Sequence, residues 1–482
     1  MSGAVDLQPA YPAILVSVTA VVLLLAQAFA GRGRRAPFAA LSLAGLVAAL
    51  VSVVLLAEHA PGAVMGGSLT ADSFSLFMQV VILAVAAVAV LLSPQYLRSA
   101  GLERGEYYAL LLFSAVGMLG LVSSLELVSI FVALEIMSIA LYGLAGMQRA
   151  QLASQESALK YFITGSFSSA FFLYGIALLY GVCGTTSVEE IARKLPLTTG
   201  STSVLAVLAT AMLLVGFGFK VASVPFHMWA PDVYEGAPTT VTAFMAAGVK
   251  VAAFGALLRV FDAALPSLAD HWQPLVAWLA IVTMVVGNLA ALAQSALKRM
   301  LAYSSIAHAG YLLTALVAAP QIAGEAMLYY LVAYAAVNLG AFGVISALSR
   351  DGREPLSYRD LAGLAQRRPA LAAALALYMV SLTGIPATAG FVGKFYLFNA
   401  AVSGNWVALA IVGVVMSVVS AYYYLGVVVS MYMREPAGED SWAPVSPASA
   451  FALALTAAIT VLFGVWPTPV LSLAREAARS LL

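Results

Sequence analysis

The chain has 482 residues, 62% of them hydrophobic and only 9% charged, with a formal net charge of +1 and a mean hydropathy of +0.97. A soluble domain carries roughly a quarter charged residues, so a soluble enzyme is excluded, and the near-neutral balance gives no electrostatic case for a nucleic-acid partner. A single cysteine, Cys183, excludes an internal disulfide and any cysteine-ligated metal or cluster.

Apolar runs of about 20 residues, the length that crosses a ~30 Å hydrocarbon core, recur from one end to the other. They predict an all-α polytopic membrane protein of about fourteen transmembrane helices, near 11–30, 36–57, 72–93, 107–123, 124–147, 157–182, 202–222, 241–263, 271–294, 299–319, 325–349, 369–398, 403–431 and 449–470. The first is not a cleavable signal: no basic residue precedes it, and Arg32, Arg34 and Arg35 follow it. Loops placed in the cytoplasm by this reading hold fourteen basic residues, Lys298, Arg299, Arg350 and Arg353 among them. The opposite side holds five: Arg193, Lys194, Arg259, Arg475 and Arg479. The positive-inside rule then puts both termini on the outer, periplasmic side of a prokaryotic cytoplasmic (inner) membrane.

Charges inside the spans come next. Glu135, in LELVSIFVALEIMSIALYGL, falls near mid-membrane. Lys160, in ESALKYF, is only a few residues into its span, where it can snorkel to the headgroups or act. Lys220 ends the run LLVGFGFK, five residues before Pro225. Lys250, in TAFMAAGVKVAAFGALL, and Lys394, in GIPATAGFVGKFYLF, are deep. A central Lys or Glu costs about 2.5–3.5 kcal/mol on insertion scales, so four of them require a reason. One reading is a pair of buried ion pairs that only pin helices together, although such pairs often fail to offset their desolvation. The other is proton transfer. Burial and a separable Glu–Lys pair bias a lysine in opposite directions, so opening the pair makes it a proton switch. His308, in YSSIAHAGY, with Tyr303, Ser304, Ser305 and Tyr311, supplies candidate relay groups on one helix. His227, in PFHMW, either relays or caps a broken helix.

Two spans are interrupted, one at Pro225 in KVASVPFHMWAP and one at Gly384, Pro386 and Gly390 in SLTGIPATAGFVGK. Such breaks are tolerated in a bilayer where the freed backbone is buried in protein or lines a wet cavity. They lie five helices apart, in spans seven and twelve. Spans 4–8 and 9–13 therefore read as two five-helix repeats, inverted because five is odd. The domain organisation is a single membrane domain, 1–482: three N-terminal spans (1–106), a first repeat (107–263), a second, inverted repeat (271–431) and a last span (449–470), with nothing expected after it. No Gly-rich phosphate loop is present. His59, His227, His271 and His308 show no paired haem-ligand spacing, so no metal or cofactor site is expected on this chain.

The runs ESALKYFITGSFSSAFFLYGIALLYG, GFGFKVASVPFHMWAPDVYEGAPTTVTAFMAAGVK, LKRMLAYSSIAHAGYLL and SLTGIPATAGFVGKFYLF resemble the antiporter-like membrane subunits of respiratory complex I, the proton-pumping NADH:quinone oxidoreductase. DVYEGAPT is the form of the subunit N branch. The resemblance covers roughly 70–435 and is only general before that. It implies a proton-translocating, non-redox subunit of a translocase in which Glu135 pairs with Lys220, Lys250 relays, and Lys394 stands near the outer exit. FMN, iron–sulphur clusters and quinone would then belong to partner subunits, and the partners would be the other membrane-arm subunits and the lipid bilayer. The alternatives are a multisubunit Na⁺/H⁺ (Mrp-type) antiporter, against which DVYEGAPT leans, a purely structural membrane subunit, and a hydrogenase- or F420-linked relative.

Overall fold

The computed structural model describes residues 6–29, 37–59, 62, 64–318, 320–349, 354, 356–436, 442 and 444–481. Arg32, Arg34, Arg35, Arg350 and Arg353 fall outside them. Two helices, α1 (Tyr11–Phe29) and α2 (Phe38–His59), precede a two-residue hairpin of β1 (Val64–Met65) and β2 (Leu69–Thr70), and α3 (Ser73–Ser99) is the third span. The first repeat follows as α4 (Gly105–Ser123), α5 (Leu127–Ala145), α6 (Leu152–Cys183), the short α7 (Val188–Lys194), α8 (Ser201–Val221), α9 (Trp229–Gly236) and α10 (Thr239–Ala264). The second repeat is α11 (Ala269–Leu292), α12 (Leu297–Leu316), α13 (Pro320–Leu348), α14 (Pro369–Thr383), α15 (Ala389–Ser403) and α16 (Val407–Met433). The chain closes with α17 (Pro447–Val465) and α18 (Thr468–Arg479).

Among the described residues, twelve helices are long and apolar enough to cross a membrane. The two remaining expected crossings are α12, whose apolar run is diluted by Lys298, Arg299 and its polar relay residues, and the broken pair α14–α15. The helical bundle therefore follows from the apolar runs. Helix α18 does not: it is amphipathic, and its buried residues Val470, Leu471, Ala474, Ala477 and Ala478 recur at helical spacing. The expectation that nothing follows the last span is corrected, because a 12-residue segment with one apolar face is too short to register as a span.

The inverted repeat is visible in backbone detail. Leu127 N–H at the start of α5 donates to Thr186 O at 2.9 Å, and Leu297 N–H at the start of α12 donates to Leu356 O at 2.8 Å. A Cβ on Gly117 would lie 2.3 Å from Met137 N, and one on Gly287 2.6 Å from Ala307 N. The α4–α5 and α11–α12 hairpins thus each close on a glycine, as membrane helices do when dispersion and not hydrophobic exclusion holds them together. Helix α10 is buried except at Asp262 and Ala263, and α13 is nearly all buried over its apolar stretch, which places these two helices at the centre of the bundle.

Candidate functional site

The first break unwinds residues 222–228, between α8 and α9. Ala222 caps α8 in the left-handed region, φ 59°. Lys220 lies in the last turn before the break, 2% exposed. Its ammonium donates to Ser138 Oγ at 2.7 Å, while Ser138 donates onward to Leu134 O. The rings of Phe219, Tyr161 and Tyr142 stand 5.3, 5.6 and 5.8 Å from Nζ, a cage that holds a desolvated cation by about 2 kcal/mol. Trp229 of α9 closes the cage by stacking on Tyr161, with ring centroids 4.5 Å apart. The Tyr142 and Tyr161 hydroxyls are buried without a protein partner.

The expected contact between Glu135 and Lys220 is not formed. Glu135 instead accepts a hydrogen bond from Ser169 of α6, and Ser138, one turn further along α5, occupies the lysine. Glu135 is half-buried on a face whose neighbours Val132, Ile136 and Ile139 are exposed. Its position in the sequence gave depth but not azimuth, and the azimuth places it at the rim of the bundle beside the lysine cage.

Lys250 follows a π-turn at Met245–Val249, a local widening common at functional positions. Its ammonium donates to Ser305 O in α12 and faces the Tyr334 ring at 5.5 Å. Tyr334 OH donates to Ser305 Oγ at 2.8 Å. His308, one turn on, bonds Tyr330 OH through Nδ1 and Tyr424 OH through Nε2, the latter at 3.0 Å. Tyr424 in turn contacts Ser304 Oγ. Counted from the equivalent Leu127 and Leu297, Ser138 and His308 hold the same place in the two repeats. A cavity of about 10 Å³, room for a single water, is lined by His308, Tyr330, Tyr334, Ser381, Leu382 and Gly390.

The second break spans residues 384–388, between α14 and α15. Lys394 of α15 reaches back across it. Its three ammonium donors find Leu382 O at 2.8 Å, Thr383 O at 3.0 Å and Ser417 Oγ at 2.7 Å. The two carbonyls are those left without helical partners at the end of α14, where the helix dipole is negative. The break thus supplies the cation's ligands. Gly384 (φ 89°) makes the turn, and Gly390 lets α15 approach Ser381, whose carbonyl would lie 2.0 Å from a Cβ there. The Tyr311 ring faces Lys394 at 4.8 Å.

Other expected residues are placed differently. Lys160 is 42% exposed and paired with Glu156 and Asp232, each at 2.6 Å, so it belongs to the mouth of the bundle. Tyr303 lies by the Arg299 guanidinium, away from His308. His227 does not cap α9 with its side chain, whose Nδ1 is unpartnered; its carbonyl accepts from Ala230 N–H. Several ion pairs escaped the sequence reading because their arginines and lysines were assigned to loops. Arg259 forks onto Asp72 at 2.8 and 3.0 Å. Lys298 meets Glu354 at 3.3 Å, and Asp232 also holds Arg299 at 2.7 Å. Glu235 also meets Arg299, at 3.0 Å, so Asp232 and Glu235 of DVYEGAPT tie α9 to α6 and α12. Among the described residues, no group of three or more His, Cys, Asp or Glu side chains could hold a metal ion.

Two inverted five-helix repeats, each with a broken helix and a buried lysine, define the antiporter-like class of membrane subunits. The chain belongs to the NADH:quinone oxidoreductase/Mrp antiporter transmembrane family, which matches residues 124–420. It is 42% identical to the NADH-quinone oxidoreductase subunit N of Trichlorobacter lovleyi over 98% of this chain and 97% of that one. Among solved structures it resembles a chain of respiratory complex I from Thermus thermophilus with bound aureothin: TM-score 0.81, 37% identity, 96% of this chain and 98% of that one. A chain of the Mrp complex from Dietzia shares the fold at TM-score 0.84 and 24% identity, covering 99% of this chain and 98% of that one.

Proposed function

We propose that this chain is a proton-translocating membrane-arm subunit of an NADH:quinone oxidoreductase, carrying protons through Glu135, Lys220, Lys250 and Lys394 with His308 and its tyrosines as relay. Quinone reduction, FMN and iron–sulphur chemistry belong to partner subunits, and this chain supplies the proton path. The observation that carries the reading is the seating of the lysines. Among the described residues, Lys220, Lys250 and Lys394 have no carboxylate within ion-pair distance and rest on hydroxyls, carbonyls and ring faces. Lysines that only pinned helices would be expected to face carboxylates.

Such seats suit a charge that comes and goes. The seats of Lys220 and Lys394 each include a hydroxyl, which accepts from an ammonium and can turn to donate to an amine, so either state finds a partner there. When Glu135 turns from Ser169 toward Lys220, the lysine keeps its proton; when it turns away, the proton is released toward Lys250. The Ser305 and Tyr334 groups, His308 with Tyr330 and Tyr424, and the water-sized cavity beside Leu382 carry it to Lys394. Moving one charge against 100 mV requires about 2.3 kcal/mol, the same order as the ring attraction and hydrogen bonding that hold the Lys220 ammonium. The division into three N-terminal spans, two repeats and a last span belongs to the same reading, as does the inner membrane with both termini outside. The Lys160–Asp232–Arg299 cluster is then the cytoplasmic mouth, and the outward-facing apolar rim around Glu135 is where a neighbouring membrane subunit packs.

Lys220→Ala should leave the complex assembled and strongly lower proton pumping in sealed vesicles; pumping at the parent rate would refute the route. Purifying the tagged chain in mild detergent tests the assembly. Flavin and iron–sulphur signals with NADH:quinone activity are expected, and a set of membrane chains without them would move the reading to a cation/proton antiporter.

A further inference from the structure

The unexpected helix α18 brings an arginine to the end of the second repeat. Arg475 donates through Nε to Glu325 Oε2 at 2.8 Å and through Nη2 to Oε1 at 3.0 Å. The Glu325 side chain is 7% exposed and that of Arg475 54%. A Cβ on Gly324 would lie 2.7 Å from the Ala478 Cβ, so α18 is seated hard against α13 at this point. One half-exposed guanidinium is what stands between a buried carboxylate and the surface.

Inward from Glu325 the helix leads to the relay. Tyr330 is five residues on, about 7–8 Å along the axis. It bonds His308, and its ring lies against Gly393, the neighbour of Lys394. Tyr329, one turn from Glu325, stands 6.4 Å from the Tyr396 ring of α15.

The repeats supply an independent observation. Helix α13 corresponds to α6, and EAMLYY (325–330) matches ESALKY (156–161) with Glu, Leu and Tyr at the same three places. In α6, Glu156 pairs with Lys160 at the mouth of the first repeat, and Tyr161 covers Lys220. In α13, Glu325 pairs with Arg475, and Tyr330 touches His308. The two helices enter the bundle from opposite ends, because five crossings separate them. The same carboxylate–cation–tyrosine arrangement therefore stands once at each face.

We propose that Glu325 is the proton-release carboxylate of the second repeat, with Arg475 as its gate, and this rests on the proton route proposed above. A proton leaving the Lys394–His308–Tyr330 cluster binds one Glu325 carboxylate oxygen and displaces the guanidinium N–H from it. When Arg475 returns, that O–H bond breaks and the proton passes to solvent at the α18 face. No electron moves, and one proton entering is one proton released.

The test uses the complete complex in sealed vesicles, reading protons moved per electron together with assembly on a native gel. Lys394→Met serves as the reference for the route itself. The expected result is assembled Glu325→Gln complex with loss of translocation, recovery in Glu325→Asp, and no recovery in the charge-swapped Glu325→Arg/Arg475→Glu chain although it assembles. A docking clamp predicts the reverse for the swap, so parent-like translocation in the swap or in Glu325→Gln overturns the proposal. If Glu325→Gln fails to assemble, the swap and Glu325→Asp decide by the same criteria. Loss in Lys394→Met with normal Glu325→Gln overturns the release step alone, whereas normal translocation in Lys394→Met overturns the route and the release step with it.

Discussion

At the scale of single residues, the buried lysines differ in what holds them. Lys394 satisfies all three donors with neutral oxygens, Lys220 satisfies one and leans on three rings, and Lys250 has one carbonyl and one ring. Lys160 is paired at the mouth and half-exposed. Lys160→Ala is therefore expected to lower pumping less than Lys250→Ala; the opposite order in side-by-side vesicle assays would mean that the mouth, not the interior, limits transfer. Gly384 gives a sharper residue-level test. Its φ of 89° is a left-handed conformation, and a Cβ would lie 3.0 Å from Lys394 Cδ. Gly384→Ala should lose about 1–2 kcal/mol of stability from the backbone alone. It should also reduce proton transfer more than that loss explains, because the added methyl displaces the lysine from the α14 carbonyls. Pumping unchanged at equal assembly would show that the seat of Lys394 is not critical.

At the scale of elements, the two breaks do different work. The second exposes carbonyls that bind a cation directly. The first leaves Lys220 on the intact side and turns α9 into a lever that carries Trp229 at one end and Asp232 in its first turn. Asp232 is hooked to Lys160 of α6 and Arg299 of α12. These pairs are a third or more exposed, so solvent screens them and their effect on global stability is small. Asp232→Asn should consequently leave assembly intact while α9 loosens. The expected signature is faster amide hydrogen exchange across 229–236 with lowered pumping; unchanged exchange there would show that packing alone positions α9.

At the scale of the whole molecule, the centre is built from α10 and α13, both enclosed by the other helices, and the ends are sealed by ion pairs between segments distant in sequence. Arg259 and Asp72 join the last turn of α10 to the start of α3. Removing one partner of a buried pair leaves an uncompensated charge, which costs about 3–5 kcal/mol. Arg259→Met should therefore lower the thermal midpoint of the purified complex clearly more than Asp232→Asn does. Equal midpoints would mean that Asp72 is freely hydrated without its arginine.

Much of this was legible without coordinates. Span lengths, the breaks at Pro225 and Pro386, the repeat of five and the depth of Glu135, Lys220, Lys250 and Lys394 all follow from hydropathy and spacing, because a bilayer imposes a fixed length and forbids free backbone. What the sequence did not determine is direction around each helix and contact between helices. The resemblance paired Glu135 with Lys220, but only the packing of α5 on α6 and α8 decided that Ser138 takes the lysine and Ser169 the glutamate. The pattern YSSIAHAGY placed Tyr303, Ser304 and His308 on one helix, and the azimuth then separated Tyr303 from the other two. Arg259, Lys298 and Arg475 read as loop or surface charges because their partners Asp72, Glu354 and Glu325 lie at least 56 residues away. The sequence alone determined a membrane bundle of two inverted repeats with charges at its core, since those features are local and periodic. The tertiary structure alone decided which neutral oxygens receive those charges and where Glu325 meets Arg475, since contacts between distant helices leave no period in the chain.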